Sequence, residues 1–286
     1  MSSAAAANVA VIGGGISGAV CASLLAARGV AVTLFDSGRG AGGRMAQRRE
    51  VMEDGTELRF DHGAPYFTVT NDEVSRVVSG WEARGIVAEW KAMFACFDQA
   101  TGKFTDFEKV QFHLSLFPRL SVMVQDIPVR PCFALMVPVH GFSFNNSDSL
   151  SWAFCDSSKP GRACVPPNRQ SWILHSTTEY ASKVINIIGL RKPSADALAK
   201  VAEELFREFQ ATGLSIPQPI FMKAHRWGSA FPAISIGGDD KCVWDKSTKL
   251  AICGDFCASP SVEGAVLSAM RGASKILGCL NCPSGL

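Results

Sequence analysis

Residues 8 to 36 set the run Gly13-Gly14-Gly15-Ile16-Ser17-Gly18 between a short apolar segment and a helix of small residues, and they close on Ala31-Val32-Thr33-Leu34-Phe35-Asp36. The order is strand, glycine turn, helix, strand, acid, which is the dinucleotide-binding fingerprint in the context it requires. Gly13 lets the strand turn sharply, Gly15 lets the backbone approach a pyrophosphate, and Gly18 lets the helix pack close to the strand. The helix N-terminus offers N–H groups and partial positive charge to the phosphates. Asp36, 18 residues past Gly18, is placed to accept hydrogen bonds from ribose hydroxyls. A carboxylate there repels a 2′-phosphate, which favours FAD or NAD over NADP. An ordinary glycine-rich loop is the plain alternative, and the flanking elements argue against it.

A chain of 286 residues with 47% hydrophobic and 19% charged residues can bury a sizeable core in one large or two ordinary domains. The net charge of +2 is not gathered into a basic cluster, so nucleic acid is not an expected partner. No apolar run reaches the roughly 18 residues of a membrane span. Seven residues precede the first strand, too few for a signal or transit peptide. The expected compartment is the cytoplasm; a plastid location would need an extension. The ten cysteines are scattered, several in apolar segments (Cys21, Cys132, Cys253), and read as buried thiols. Cys279-Leu280-Asn281-Cys282 has no second ligand pair, so no metal is expected.

Strands are expected at Glu57–Phe60, Tyr66–Val69, within 86–107, at Arg130–Val139, Gly141–Phe144 and Ser171–Ser176, near Ile220–Ala224 and at Leu250–Cys253. Helical spacing marks Glu73–Gly85, Thr178–Gly189 and 262–277. The clearest helix is Ser194–Gln210: Pro193 precedes it, Ser194 can cap it, and Leu198, Val201, Leu205, Phe206 and Phe209 form one apolar stripe. Residues 108–127 show no clear period and no turn signal.

Four further segments carry chemistry. Arg39-Gly40-Ala41-Gly42-Gly43-Arg44 follows the ribose acid; its glycines let backbone pass close to a ligand, and Arg44 can neutralise pyrophosphate or sit near a flavin ring. Its alternative is a flexible surface loop. In Asp61-His62-Gly63-Ala64-Pro65-Tyr66-Phe67-Thr68 the small residues leave room for a flat ring. His62 is a candidate general base, though a lone histidine beside a strand is more often structural. Leu250–Asp255 ends a buried strand at Gly254-Asp255, and Val262-Glu263-Gly264-Ala265-Val266 opens a helix. Asp255 can bind a ribityl hydroxyl, and the helix N-terminus can stabilise negative charge at the edge of a reduced flavin. Paired with the N-terminal fingerprint, this corner favours FAD over NAD, because one cofactor must span both sites. In His225–Pro232, Trp227 and Phe231 either wall a substrate pocket or fill the core.

The segments VAVIGGGISGAVCASLLAARG, GRGAGGRMA, LRFDHGAPYFT, AHRWGSAFP and LAICGDFCASPSVEGAVLSA together resemble the FAD-dependent amine oxidase superfamily, most closely its renalase-like branch, including plant oxidoreductases of that type. The resemblance implies an α/β fold: a Rossmann-type FAD-binding domain with a central parallel sheet, and a smaller α+β substrate domain on an antiparallel sheet. It implies that Gly13, Gly15, Ile16, Ser17 and Gly18 hold the pyrophosphate, with Asp36 at the ribose and Gly43 and Arg44 beside phosphates and flavin. It further implies Ala64 and Tyr66 near the ring, and Asp255, Gly264, Ala265 and Val266 at the ribityl chain and flavin edge. The implied activity is hydride transfer from an amine or dihydronicotinamide-type molecule to the flavin, with oxygen as reoxidant and no catalytic acid or base required.

The chain departs from that family in its middle, around 108–127 and at Val137–Gly141, where it reads as if internal pieces were missing. The expected division is residues 1–70 with 240–286 as the FAD-binding domain and 71–239 as a shortened substrate domain. Two other functions fit the same motifs: a catalytically silent flavoprotein scaffold, which the irregular middle supports, and an NAD-only dehydrogenase, which the Gly254-Asp255 corner argues against.

Overall fold

The computed structural model describes residues 7–38, 40–106, 113–115, 140–162, 170–189, 191–214, 216–228 and 230–281. Arg39, most of 108–127 and the strand expected at Arg130–Val139 lie outside the described residues. The first unit is β1 (Asn8–Ile12), α1 (Ile16–Ala26) and β2 (Ala31–Phe35). The two strands pair in parallel with Asn8 opposite Ala31 and Ile12 opposite Phe35, as a βαβ crossover requires. A 3₁₀ turn at Gly43–Met45 leads into a hairpin of β3 (Arg48–Val51) and β4 (Glu57–Phe60). Helix α2 (Asp72–Glu82) follows, its first turn capped by the Asn71 side chain, which accepts from the Glu73 and Val74 amides.

The middle of the chain supplies β5 (Val87–Glu89), β6 (Phe94–Asp98), β7 (Lys103–Asp106), β8 (His113–Ser115), β9 (Gly141–Asn145), β10 (Leu150–Cys155) and β11 (Trp172–Ser176). Helices α3 (Thr178–Ile188) and α4 (Ala195–Gln210) come next, capped by Thr177 and Ser194. The chain continues with β12 (Val243–Asp245), β13 (Leu250–Ile252) and α5 (Val262–Asn281).

Five strands form one sheet in the order β11-β10-β9-β6-β7. Its pairings are antiparallel except β6 with β9. An all-antiparallel sheet was expected; the exception arises because a long connection, not a hairpin, joins those two strands. The expected central parallel sheet is, among the described residues, only β1 with β2. Strand β13 pairs with β12 across a short turn that puts Lys249 at φ 55°. Tyr66–Val69 and Ile220–Ala224 are not strands. Pro65 beside the first, and Pro217 and Pro219 before the second, remove ladder donors.

Two large clusters hold the fold. In one, Val20, Cys21 and Leu25 of α1 meet Val266, Ala269 and Ala273 of α5, with Val74 and Val78 of α2 alongside. In the other, one face of the five-stranded sheet (Phe97, Phe142, Phe144, Trp172, Leu174) packs on Leu205, Phe206 and Phe209 of α4. The strand period of two sends the alternate residue Ile173 to the opposite face, where it meets Leu58 and Phe60 of the hairpin. The hairpin therefore lies against the sheet and leads straight into Asp61. No helix among the described residues is long and apolar enough to cross a membrane.

Candidate functional site

The glycine turn after β1 is built for close approach. Gly13 has φ 104°, a conformation that L side chains rarely adopt, and its amide donates to the Phe35 carbonyl at 2.7 Å. A Cβ on Gly18 would collide with the Gly13 carbonyl, whereas one on Gly15 would meet nothing within 4 Å. Gly15 is the N-cap of α1 and carries no side-chain cap, so the first amides of that helix have no side-chain acceptor. The second glycine loop is stitched to the first: the Gly42 amide donates to the Gly14 carbonyl at 2.7 Å, and Gly42 and Gly43 both have positive φ. Asp36 is exposed, accepts from the Gly38 amide at 2.9 Å, and its carboxylate lies over Gly14.

The C-terminal corner meets this turn. Ser17 Oγ donates to the Ala265 carbonyl at 3.1 Å, joining the first turns of α1 and α5. Ser261 Oγ accepts from the Gly264 amide at 2.9 Å and caps α5. Arg44 Nη2 reaches Asp255 Oδ1 at 2.5 Å, and its Nη1 donates to the Ala230 carbonyl at 2.6 Å. Asp255 is buried, while the Arg44 side chain stays 38% exposed.

These parts enclose a cleft of about 700 Å³, within the range of small-molecule and cofactor sites. Gly13, Gly15, Ile16, Ser17, Gly18, Gly43, Arg44, Ala64, Tyr66, Asp255 and Ala265 all line it. Gly264 and Val266 do not: Gly264 sits against Ser259, and Val266 is fully buried in the α1–α5 core. Trp227 is a half-buried wall residue, whereas Phe231 stands at the rim, 62% exposed.

Sequence reasoning missed Trp152, Phe154 and His175, which line the same cleft. The available signal was the spacing of two in β10, which puts Trp152 and Phe154 on the face opposite core residues Ala153 and Cys155. Tyr66 packs on Phe154, ring centroids 5.4 Å apart, and burial pushes its hydroxyl up to about 12. His62 lines neither this cleft nor the smaller cavity beside it. Its ring lies 4.9 Å from that of Trp227 and 5.4 Å from that of His225, and its carbonyl accepts from His175 Nε2 at 3.0 Å. Its ring packs against Trp227 and His225, off the described lining of both cavities.

Apart from the cleft lining, the fold holds a buried set of charges that the sequence did not announce. Lys159 Nζ reaches Asp61 Oδ2 at 2.9 Å and Asp156 Oδ1 at 2.5 Å; Arg162 reaches Asp61 Oδ1 at 2.5 Å and Asp156 Oδ2 at 3.3 Å. Burial pushes the Asp61 carboxyl up, but the facing Lys159 and Arg162 outweigh it and hold that carboxyl below its ordinary range.

A family described as NAD(P)-binding Rossmann-like domains matches residues 11–81. The chain is similar to a carotenoid phi-ring synthase of Streptomyces griseus, 47% identical over 55 residues, which make up 19% of this chain and 11% of that relative. It thus aligns with about a tenth of the relative's length. Among solved structures it is similar to a double mutant of putrescine oxidase from a redesign of cofactor binding, with TM-score 0.53 and 10% identity over 96% of this chain and 100% of the other. Wild-type putrescine oxidase bound to putrescine gives TM-score 0.53 and 9% identity over 95% and 99%. At such identity the similarity carries the fold, α/β with a Rossmann-type unit.

Proposed function

We propose that this chain is an FAD-dependent oxidoreductase that takes a hydride from a small organic substrate bound against the aromatic side of the cleft. One observation carries the reading: the Gly13–Gly18 turn and the Asp255–α5 corner open onto the same cleft. A ligand that uses both needs a pyrophosphate at one end and a flat, polar-edged ring at the other. The open space over Gly15 is the cradle that fits the pyrophosphate.

The remaining residues have roles consistent with that fit. Asp36 is exposed where a ribose would lie beside Gly14. Arg44 and Asp255 hold each other, so either can turn a hydrogen-bonding edge to the ligand without leaving an isolated buried charge. Gly63 has no room for a side chain between the Arg44 backbone and Trp227, which keeps Ala64 and Tyr66 close to the cleft. The flavin, when bound, supplies hydride acceptance; the protein positions, excludes water and places the N-terminus of α5 near developing negative charge. Residues 1–70 with 240–286 make the cofactor unit and the five-stranded sheet with α3 and α4 the substrate unit. Helix α2 belongs with the first, because Val74 and Val78 pack in the α1–α5 core and Glu73 pairs with Arg271 at 2.7 Å.

The substrate of this proposed oxidase is an amine or dihydronicotinamide-type molecule, and oxygen reoxidises the flavin. The competing reading, a scaffold that no longer turns over, draws on the two-stranded parallel sheet and on the exposure of Ile12 and Phe35 in it and of Ile252 in β13. Absorption spectroscopy of the purified protein and of its heat-released supernatant separates the two. Flavin at near one equivalent, bleached anaerobically by a reductant, supports the oxidoreductase. A colourless protein that takes up no added FAD sinks it.

A further inference from the structure

Helix α3 is amphipathic, yet none of its residues is buried. Its apolar stripe, Ala181, Val184, Ile185 and Ile188, faces a cavity of about 140 Å³ instead of a core. The opposite wall is the α4 stripe: Leu198, Val201 and Leu205 line the cavity, and from Val201 onward the stripe also packs on the sheet cluster with Phe206 and Phe209. The cavity adjoins the large cleft: Arg44, Gly63, His175, Trp227, Ala230 and Phe231 line both and form the neck between them. Its described lining contains no Asp or Glu, and its charged members are Arg44 and Arg226. Arg226 donates to the Gly189 carbonyl at 3.0 Å.

We propose that this side cavity houses an uncharged, apolar portion of the substrate, a single ring or a short branched alkyl group, with the oxidisable carbon left at the Trp227–His175 neck. This rests on the flavoprotein reading only in taking the occupant to be the substrate. Size sets the scale: an apolar cavity of about 150 Å³ accepts one benzene. Charge sets the class. An ammonium at the far end of a substrate would meet the cations Arg44 and Arg226 and no described lining carboxylate, Glu204 behind the wall being engaged by the Tyr180 hydroxyl, and desolvating an unpaired charge is costly. A diamine of the kind bound by the structurally similar oxidase is therefore a poor occupant here.

The test uses the full chain, with FAD supplied, and toluene and putrescine as probes in ligand-observed NMR. Two variants alter the cavity: Val184→Trp fills it and Val184→Glu places a carboxylate in it. Val184 lies on a helix with no buried residue, and circular dichroism melts check that both variants fold. Toluene should bind the wild type and weaken at least tenfold in both variants, while putrescine binds no better than free solution predicts. Flavin uptake, read separately by fluorescence, should be the same in all three proteins. Absence of toluene binding, or binding indifferent to both substitutions, overturns the inference even where flavin is bound. Toluene binding that depends on Val184 in a protein that takes up no flavin upholds the cavity's ligand class and fails the oxidoreductase reading instead.

Discussion

Two ionic arrangements join distant parts of this chain, and they differ in what they face. Arg44–Asp255 bridges the loop after β2 to the corner before α5, 211 positions apart, and opens onto the cleft with its cation 38% exposed. The Asp61–Lys159–Asp156–Arg162 set joins the end of the β3–β4 hairpin to the turn after β10, and the Lys159 and Asp156 side chains are each 1% exposed. A sealed set must satisfy every charge internally, because removal of one partner strands the others. A cleft-facing pair keeps water or ligand as a spare partner. The sealed set therefore belongs to stability, and the cleft-facing pair to the proposed binding.

The largest effect should come from the sealed set. Lys159→Met leaves Asp61 and Asp156 with Arg162 as their cation among the described residues, and breaking a buried pair costs roughly 3–5 kcal/mol. Urea melts of the two proteins measure it, and a loss under about 1 kcal/mol would mean the set behaves like surface ion pairs.

Acid should expose the same set by a different route. Asp61 has its folded carboxyl held below the ordinary value, so its stabilisation is present above the unfolded value of about 3.9 and is lost as pH falls through the lower folded one. Asp61→Asn lacks that component at every pH. The gap in stability between wild type and variant should be widest near neutrality and should close on acidification below about pH 4. A gap that stays constant down to pH 2 would remove Asp61 ionisation from the account.

The glycine turn sharpens the comparison within the cleft itself. Gly18→Ala drives a methyl into the Gly13 carbonyl, and overpacking of this kind costs roughly 1–3 kcal/mol. Gly15→Ala meets nothing, and its φ of −72° suits alanine. It should leave the melting temperature unchanged while its methyl stands in the proposed pyrophosphate cradle and cuts flavin uptake at least tenfold. Equal flavin content in wild type and Gly15→Ala would move the ligand elsewhere.

What the sequence made legible follows from how many residue types a position tolerates. Gly13 and Gly18 are forced by φ and by a carbonyl, so a pattern of glycines predicts a shape. Ser194 and the α4 stripe were legible because a cap and a period of 3.6 are local properties. The sealed set was not: Asp156-Ser157-Ser158-Lys159-Pro160-Gly161-Arg162 has the composition of an exposed turn, and only the hairpin folded over it makes it interior. The cavity along α3 was hidden for the converse reason. An apolar helical stripe reads as core, and no local signal tells a stripe that meets side chains from one that meets space. Trp152 and Phe154 were lost for a simpler reason: no strand was expected over Leu150–Cys155, so nothing assigned them to a sheet face.

Of the two ionic arrangements, the smaller stability effect should come from the pair that faces the cleft. Asp255→Asn keeps an oxygen that can accept from Arg44 and removes only the charge. Arg44 is more than a third exposed, so water takes over much of the lost attraction, and the cost should stay within about 1 kcal/mol. Flavin uptake should nevertheless fall, because the amide lacks the charge that orients Arg44 and offers a weaker acceptor to a ribityl hydroxyl. Thermal melts without cofactor and equilibrium titration with FAD measure the two quantities on one preparation. A large loss of stability with unchanged flavin affinity would invert the assignment and place Arg44–Asp255 with the sealed set.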